Sequence, residues 1–113
     1  MEDLDITFKA LADINRVRIL KLLEKRKMCV CEIAHVLDVS QPAISKQLKK
    51  LVKAGLIDSE QDGFWTNYFI SPKNDYTKKQ LKILSSWLND ESIIKDDLRK
   101  SEKAKRDNLC GKK

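Results

Sequence analysis

Long apolar runs, histidine and glycine are scarce in this 113-residue sequence, which has one histidine and three glycines. No segment approaches the roughly 20 consecutive apolar residues that span a bilayer. The N-terminal segment MEDLDITFKA has neither the cationic start nor the apolar stretch of a secretion signal. We therefore expect a cytoplasmic protein with no membrane partner.

The residue patterns of enzymes are also missing. The sequence has no Gly-rich phosphate-binding loop and no evident pair of catalytic acids, and its single histidine, His35, has no triad partner in view. A chain of this length forms one domain with a modest core and little room for an enzyme cleft. We predict that the protein is not an enzyme.

Cysteine is present, but in a number that does not fit a disulfide framework. The chain has three cysteines, an odd number, and no export signal. Such cysteines are expected to be reduced thiols that serve metal or redox chemistry.

Positive charge, in contrast, is in excess. The chain has 23 lysines and arginines against 17 acidic residues, a formal net charge of +6. This balance favours a polyanionic partner such as nucleic acid.

The stretch from Cys29 to Leu51 has the pattern of a helix-turn-helix. Apolar residues recur at helical spacing in two segments: Ile33, Val36 and Leu37, then Ile44, Leu48, Leu51 and Val52. Ser40 is a good N-cap for the second helix, and Pro42 in its first turn loses no intrahelical hydrogen bond. The second helix is therefore predicted to start at about Gln41 and to be the recognition helix.

The opposite face of that helix carries polar and cationic groups suited to base edges and phosphates. An ordinary solvated helix face has the same pattern, and the neighbouring segments favour the DNA interpretation. The DNA-binding residues predicted here and on the following hairpin are Ser40, Gln41, Ser45, Lys46, Lys49, Lys50, Trp65 and Asn67.

A β-hairpin is predicted directly after the recognition helix. Gly55 is expected to end the helix in a left-handed conformation. Asp62-Gly63 lies between two extended segments and predicts a two-residue type I′ turn with positive φ at both positions. A hairpin in this place is a wing, and Trp65 or Asn67 is expected to face the DNA minor groove or backbone.

The remaining segments predict helices. A short N-terminal helix precedes an amphipathic one from Ile14 to about Arg26, and a single long helix is predicted from about Asp75 to Asn108, with Asn89-Asp90 as a weak point. Because this long helix has no obvious intrachain partner along its length, we expect a homodimer through the N- and C-terminal helices. Residues 1–102 are predicted to form the DNA-binding and dimerisation domain, and residues 103–113 a charged, flexible tail.

The predicted fold is thus mainly α with a small β-hairpin wing, a winged helix-turn-helix. This order of elements, together with the segments KALADINRVRILKLL, CVCEIAHVL, VSQPAISKQLKKLVKAGLI and DGFWTNYFI, resembles the ArsR/SmtB family of metal-responsive winged-helix repressors. The resemblance covers roughly Phe8 to Leu88. It implies a homodimer that binds an inverted-repeat operator in double-stranded DNA and leaves it when an inducer binds.

The family's arsenic and cadmium sensors carry a motif of the form (E/K)-L-C-V-C-D-L-C, which here reads KMCVCEIA. Cys29 and Cys31 match its first two cysteines, and Ala34 stands at the third. Many members have Ser-His where this chain has Ser45-Lys46. The family's other metal site, a set of His and carboxylate ligands on the terminal helix, is not available to a chain with one histidine.

Cys29 and Cys31 are the predicted metal ligands. Residues two apart point about 200° apart on an ideal helix, so both can bind one ion only from extended backbone or a distorted first turn. Ligation would then move the attached recognition helix, and the helix dipole is expected to lower the pKa of these thiols. The inducer is predicted to be As(III) or Sb(III), or Cd(II) or Zn(II), and no metal is required for folding.

A trigonal thiolate site needs a third sulfur, and Cys110 is the remaining candidate. His35, four residues after Cys31, is a further candidate ligand for a borderline ion. Two alternatives stay open: a redox or persulfide switch that uses Cys31 and Cys110, or Cys29 and Cys31, and a winged-helix protein-interaction module with no operator. The positive charge and the polar recognition face count against the second.

Overall fold

The computed structural model describes residues 2–105, which form six helices and three strands. The helices are α1 (Glu2–Ala10), α2 (Ile14–Leu23), α3 (Val30–Leu37), α4 (Gln41–Lys53), α5 (Asp75–Ser86) and α6 (Ser92–Lys103); the strands are β1 (Met28–Cys29), β2 (Ile57–Asp62) and β3 (Trp65–Ile70). Helices α3 and α4 form the predicted helix-turn-helix, and β2 and β3 form the predicted wing. The winged helix-turn-helix fold is confirmed.

The recognition helix α4 begins and ends as its local sequence predicts. Ser40 Oγ accepts a hydrogen bond from the Ala43 amide at 3.3 Å, which caps the first turn. At the other end Gly55 has φ +78° and donates to the Val52 carbonyl, while the next amide donates to the Leu51 carbonyl. This is a Schellman arrangement, which glycine adopts without a Cβ penalty. Ile44, Leu48 and Leu51 of the apolar stripe of α4 are fully buried against α2 and α3, whereas Val52 is exposed.

The turn of the wing differs by one residue from the prediction. Asp62 pairs directly with Trp65, so the two turn residues are Gly63 and Phe64. Only Gly63 has a positive φ within this turn, +62°. Glycine at the first turn position with a positive φ there alone is the signature of a type II′ turn. The predicted type I′ turn at Asp62-Gly63 is therefore wrong, because Asp62 is still part of the strand ladder.

A third strand, which the sequence did not indicate, joins the wing to the helix-turn-helix. Strand β1 has two residues and pairs with β3 in an antiparallel ladder, with Met28 opposite Tyr68 and Cys29 opposite Asn67. The strand order in the sheet is β1-β3-β2. The backbone that enters α3 is therefore tied directly to the wing.

The predicted single C-terminal helix is wrong, because the chain breaks between Ser86 and Ser92, a segment that contains the weak point predicted at Asn89-Asp90. Trp87 has extended backbone angles and Leu88 has φ +66°, and the Asn89 side chain donates to the Ser85 carbonyl at 3.0 Å. A left-handed conformation costs a non-glycine residue roughly 1–2 kcal/mol. It reverses the chain here, and α6 folds back over α2 and α3.

Helix α6 is fastened to its own chain by charged side chains. Arg18 Nε and Nη2 donate to the two carboxylate oxygens of Asp97 at 2.8 and 2.9 Å. Arg26 Nη2 donates to the carbonyls of Ser101 and Ala104, and Lys100 Nζ donates to the Val36 carbonyl in α3 at 3.2 Å. The second half of the predicted long helix thus has an intrachain partner, whereas α1 and α5 have exposed apolar side chains such as Phe8 and Ile83.

The boundary predicted at residue 102 falls within α6, and Ala104 beyond it is buried. The division of the chain at this residue stays a prediction, since 106–113 lie outside the described residues. Within residues 2–105 no helix has both the length and the apolar content needed to cross a membrane.

Candidate functional site

The two cysteines of the CVC segment meet because only one of them is in the helix. Cys29 is the N-cap of α3 with φ −91° and ψ 169°, which is extended backbone, whereas Cys31 lies in the first helical turn. Their Sγ atoms are 3.3 Å apart, and both residues are buried. This geometry meets the condition that the sequence set for chelation of one ion by both sulfurs.

A buried carboxylate holds this first turn in place. Glu32 Oε1 accepts a hydrogen bond from the Cys29 amide at 3.0 Å, which is the carboxylate half of a capping box. Glu32 Oε2 pairs with Arg26 Nη1 at 3.3 Å. Glu32 is thus a positioning residue for Cys29, and the C-x-x-E spacing was the sequence signal that indicates it.

The protonation of Cys29 differs from the prediction. Burial raises the pKa of the Cys29 thiol, and the Glu32 carboxylate adds to the increase, while hydrogen bonds from the backbone of Glu32 and Cys31 oppose it. The expected lowering by the helix dipole is therefore wrong for Cys29, because desolvation of the thiolate outweighs it. Cys31 is disulfide-bonded in this structure, whereas Cys29 is a thiol, so the pair can chelate an ion only in the reduced protein.

The two cysteines line a cavity that three elements share. Its volume is about 270 Å³, and it is lined by Cys29, Val30, Cys31, Gln41, Phe64, Trp65 and Thr66. Gln41 is the first residue of the recognition helix, and Phe64 and Trp65 belong to the tip of the wing. An atom bound to the sulfurs would therefore be next to both the recognition helix and the wing.

A third protein ligand is not found beside this pair within residues 2–105. No group of three or more His, Cys, Asp and Glu side chains in this range is placed to hold a metal ion. His35 is exposed and does not line the cavity, and Ala34 is buried at the family's third cysteine position. Cys110, the predicted third sulfur, lies outside the described residues.

The predicted DNA-binding side chains lie on two elements. Along the recognition helix Lys46, Lys49 and Lys50 are exposed and Ser45 is half-buried. Exposed Ser40 and Gln41 lie at its N-terminus. On the wing Trp65 and Asn67 are half-buried, with Trp65 against the thiol cavity and Asn67 opposite Cys29 in the ladder. Both wing residues are therefore close to the sulfur pair, a connection that the sequence did not indicate.

Arg16 in α2 holds the recognition helix in place through a hydrogen bond, and sequence reasoning missed this residue. Its Nη1 donates to Gln47 Oε1 in α4 at 2.8 Å, and its Nε donates to the Ala10 carbonyl at the end of α1 at 2.7 Å. One guanidinium thus fixes α4 relative to α1 and α2.

A separate apolar surface lies between α1 and α5. Phe8, Ile83 and Trp87 are exposed by 57%, 48% and 61%, and they border a groove of about 350 Å³. Gln80 lines the same groove, and its Oε1 atom is buried and has no hydrogen-bond partner among residues 2–105. Exposed apolar surface of this kind around a buried unpaired acceptor is typical of an interface.

Known proteins with similar sequences are transcriptional regulators. The family described as "Bacterial regulatory protein, arsR family" matches residues 13–59. The arsenic resistance transcriptional regulator ArsR1 of Pseudomonas putida KT2440 is 36% identical over 103 residues, which cover 89% of this chain and 80% of that protein. The cadmium resistance transcriptional regulatory protein CadC of Listeria innocua is 39% identical over 79 residues, 69% of this chain and 60% of that one.

Among solved structures, HlyU from Vibrio cholerae has the same fold. It superposes with a TM-score of 0.64 at 26% identity, and the match covers 74% of this chain and 88% of that chain.

Proposed function

Because this chain belongs to the arsR family of bacterial regulatory proteins, we propose that it is a repressor released from operator DNA by a thiophilic ion at Cys29 and Cys31. The ion is As(III) or Sb(III), or else Cd(II) or Zn(II), and the protein acts as a homodimer. The observation that carries the proposal is the pair of sulfurs 3.3 Å apart in a cavity shared with the recognition helix and the wing.

The chemistry of the pair suits soft ions. Thiolates bind thiophilic ions more strongly than oxygen ligands do, and two sulfurs in one cavity bind such an ion as a chelate. The relatives named for arsenic and cadmium resistance support the same class of inducer. No described residue adds a hard oxygen cluster that would favour magnesium or calcium instead.

The contacts around Cys29 and Cys31 can transmit the effect of ion binding to the wing and the recognition helix, the elements proposed to bind DNA. Ligation draws Cys29 and Cys31 toward one atom, which shifts β1 and the first turn of α3. Because Cys29 pairs with Asn67, the shift reaches the wing, and the cavity wall transmits it to Gln41 at the start of α4. A coupling of about 1–3 kcal/mol weakens DNA binding roughly 5- to 150-fold, which is enough for a switch.

The exposed surfaces support the partners in this proposal. The lysines of α4 supply phosphate contacts, and the half-sites of an inverted repeat require two copies of this helix. The exposed apolar residues of α1 and α5 supply a self-complementary interface in this proposal, in which a donor from the partner reaches Gln80 Oε1. Sedimentation of the purified protein tests this part, and a monomer at micromolar concentration would contradict it.

The experiment for the function itself is DNA release. The reduced protein is bound to a labelled fragment from its own upstream region and titrated with As(III), Sb(III), Cd(II) and Zn(II). We expect at least one ion to release the wild type and the His35→Asn control, and a competing dithiol to restore binding. Cys29→Ser and Cys31→Ser should bind the fragment and stay bound; release of both variants at wild-type ion concentrations would place the sensor elsewhere.

A redox switch is the second candidate, and one observation favours it. Cys31 is disulfide-bonded while Cys29 remains a thiol, so Cys31 is a residue that forms a disulfide bond in this fold. The same DNA fragment tests this candidate with an oxidant or a persulfide donor in place of the ions. Release by these reagents alone, with no response to any of the four ions, would assign the switch to sulfur oxidation.

A further inference from the structure

One arginine connects the C-terminal helix to the first turn of α3. Arg26 lies between α2 and β1, and its Nη1 donates to Glu32 Oε2 at 3.3 Å. Its Nη2 donates to the carbonyls of Ser101 and Ala104, at 3.0 and 2.9 Å, in the last turn of α6. The Arg26 side chain therefore forms a bridge between α6 and α3.

A guanidinium suits this position because its five N–H donors are fixed in one plane and point in different directions. Both groups that it joins are also negative. Glu32 supplies a carboxylate, and the last turn of a helix carries the negative end of the helix dipole. Nη1 makes a further hydrogen bond, to the Lys27 carbonyl at 3.3 Å, directly before β1. Arg26 thus contacts α6, the start of β1 and the first turn of α3.

The bridge continues from Glu32 to Cys29. The second carboxylate oxygen of Glu32, Oε1, accepts the hydrogen bond from the Cys29 amide at 3.0 Å. Glu32 is only 6% exposed, and a buried carboxylate is stable when its charge is paired, as it is here with Arg26. The position of the Cys29 backbone therefore depends on Arg26, and the position of Arg26 depends on the last turn of α6.

We propose that Arg26 is a positioning residue for the Cys29 site, and that through it the contact of α6 with the body of the protein controls the response of the sensor. This inference rests on the proposed function, since it concerns the regulation of the same site. While the last turn of α6 is in contact, Arg26 holds Glu32, and Glu32 holds the extended backbone of Cys29. When that turn moves away, Arg26 loses two acceptors and the cap of α3 loosens.

Helix α6 thus acts on both ends of α3, but by different contacts. Lys100 donates directly to the Val36 carbonyl in the last turn of α3. The first turn is reached through the Arg26 side chain, which is 39% exposed, whereas Arg18, which fixes α6 to α2, is 14% exposed. Arg26 can therefore be replaced without opening the core, and its substitution tests the bridge separately from the docking of α6.

Amide hydrogen exchange, measured for each residue by NMR, tests the bridge. Arg26→Ala should raise the exchange rates of the Cys29 and Ala104 amides, one at each end of the bridge, roughly three- to thirtyfold. The matched control is Arg99→Ala, which removes an equal charge from an exposed ion pair within α6 and should change neither rate. An increase at Cys29 alone would overturn the link to α6, and an equal increase throughout α4 would show general destabilisation instead.

A conservative variant separates the bridge from the charge. Arg26→Lys keeps the positive charge, but an ammonium group is a compact point charge and does not span the positions that the guanidinium fork occupies. We expect at least one of the Cys29 and Ala104 amides to exchange as fast as it does in Arg26→Ala. Wild-type rates at both amides would show that the charge alone suffices, and would overturn the bridge.

The effect on the sensor is measured as the affinity of the reduced protein for As(III) and Cd(II). Arg26→Ala should weaken the binding of both ions roughly three- to tenfold, because ligation must then order Cys29. Operator affinity without an ion should equal that of Arg99→Ala. Faster amide exchange with unchanged ion affinity would overturn the control of the sensor by α6. If neither ion binds to the wild type, the proposed function fails, whereas the amide rates still decide whether the bridge exists.

Discussion

The two ends of helix α3 are held in different ways. Its first turn is connected to the wing and borders a cavity: Cys29 pairs with the wing strand, and both cysteines line the cavity. Its last turn is held by α6, because Lys100 in α6 donates to the Val36 carbonyl. Helix α6 is in turn fixed to α2 by the ion pair of Arg18 and Asp97. A helix held at one end and adjustable at the other can tilt, and this difference is what a sensor at its first turn requires.

Removing a contact that holds the last turn of α3, its fixed end, should have the largest effect on the free energy of unfolding. Asp97→Ala leaves the Arg18 guanidinium largely buried without its bidentate partner, and loss of one member of a buried pair costs about 3–5 kcal/mol of unfolding free energy. Urea unfolding followed by circular dichroism measures this. The matched control is Asp96→Ala, whose pair with Arg99 is exposed and should contribute less than about 1 kcal/mol. Equal midpoints for the two variants would show that α6 does not hold α3.

Weakening the contacts of the first turn of α3, its adjustable end, should have a smaller effect on the free energy of unfolding. It should also weaken the binding of the inducer. Glu32→Ala removes the acceptor of the Cys29 amide, and loss of such a cap costs about 0.5–2 kcal/mol. Because Cys29 then no longer has a fixed position, we expect weaker inducer binding with operator affinity preserved in the absence of inducer. The control is Glu60→Ala, which breaks only the exposed pair with Lys27. Inducer binding at the wild-type level in Glu32→Ala would show that the first turn does not need the Glu32 hydrogen bond in order to bind the inducer.

The protonation of the Cys29 thiol, at the adjustable end of α3, predicts that the affinity for divalent ions depends on pH. The raised pKa of Cys29 means that this thiol is protonated at neutral pH and must lose its proton to bind Cd(II). The apparent affinity should therefore rise with pH below that pKa, by about tenfold per pH unit for each thiol proton displaced. Chelator competition between pH 6 and pH 8 measures the slope. A flat profile would mean that no thiol proton is displaced.

The smallest expected effect is that of a single phosphate contact on the recognition helix. Lys49→Ala should weaken DNA binding alike on all sequences and reduce the slope of log affinity against log salt by about one. Lys95, exposed on α6 and outside the recognition helix and the wing, supplies the control substitution. An unchanged slope in Lys49→Ala would remove this residue from the interface.

Local signals in the sequence predicted the recognition helix well. Ser40, Pro42 and Gly55 each act within a few residues of their own position, so the ends of α4 follow from the sequence alone. The wing was predicted for the same reason, although its turn lies one residue later. Whether Asp62 joins the ladder depends on its partner Trp65, and local turn preference does not contain that information.

What the sequence could not provide depends on contacts between distant segments. The reversal at Leu88 is compensated by the pairing of Asp97 with Arg18, 79 positions away. Strand β1 is too short to show a period, and it exists because β3 lies beside it. The cavity combines Cys31 with Gln41 and Phe64, which are brought together by the fold. Sequence reasoning identified the sulfurs from the CVC motif but not the wall around them.

The central claim is that occupation of the thiols and binding of DNA oppose each other through α3, and reciprocity tests it most directly. The affinity of the reduced protein for Cd(II) or As(III) is measured with and without saturating operator fragment. The account predicts that DNA weakens ion binding by the same factor, roughly 5- to 150-fold, by which the ion weakens DNA binding. An ion affinity that DNA leaves unchanged would contradict the coupling.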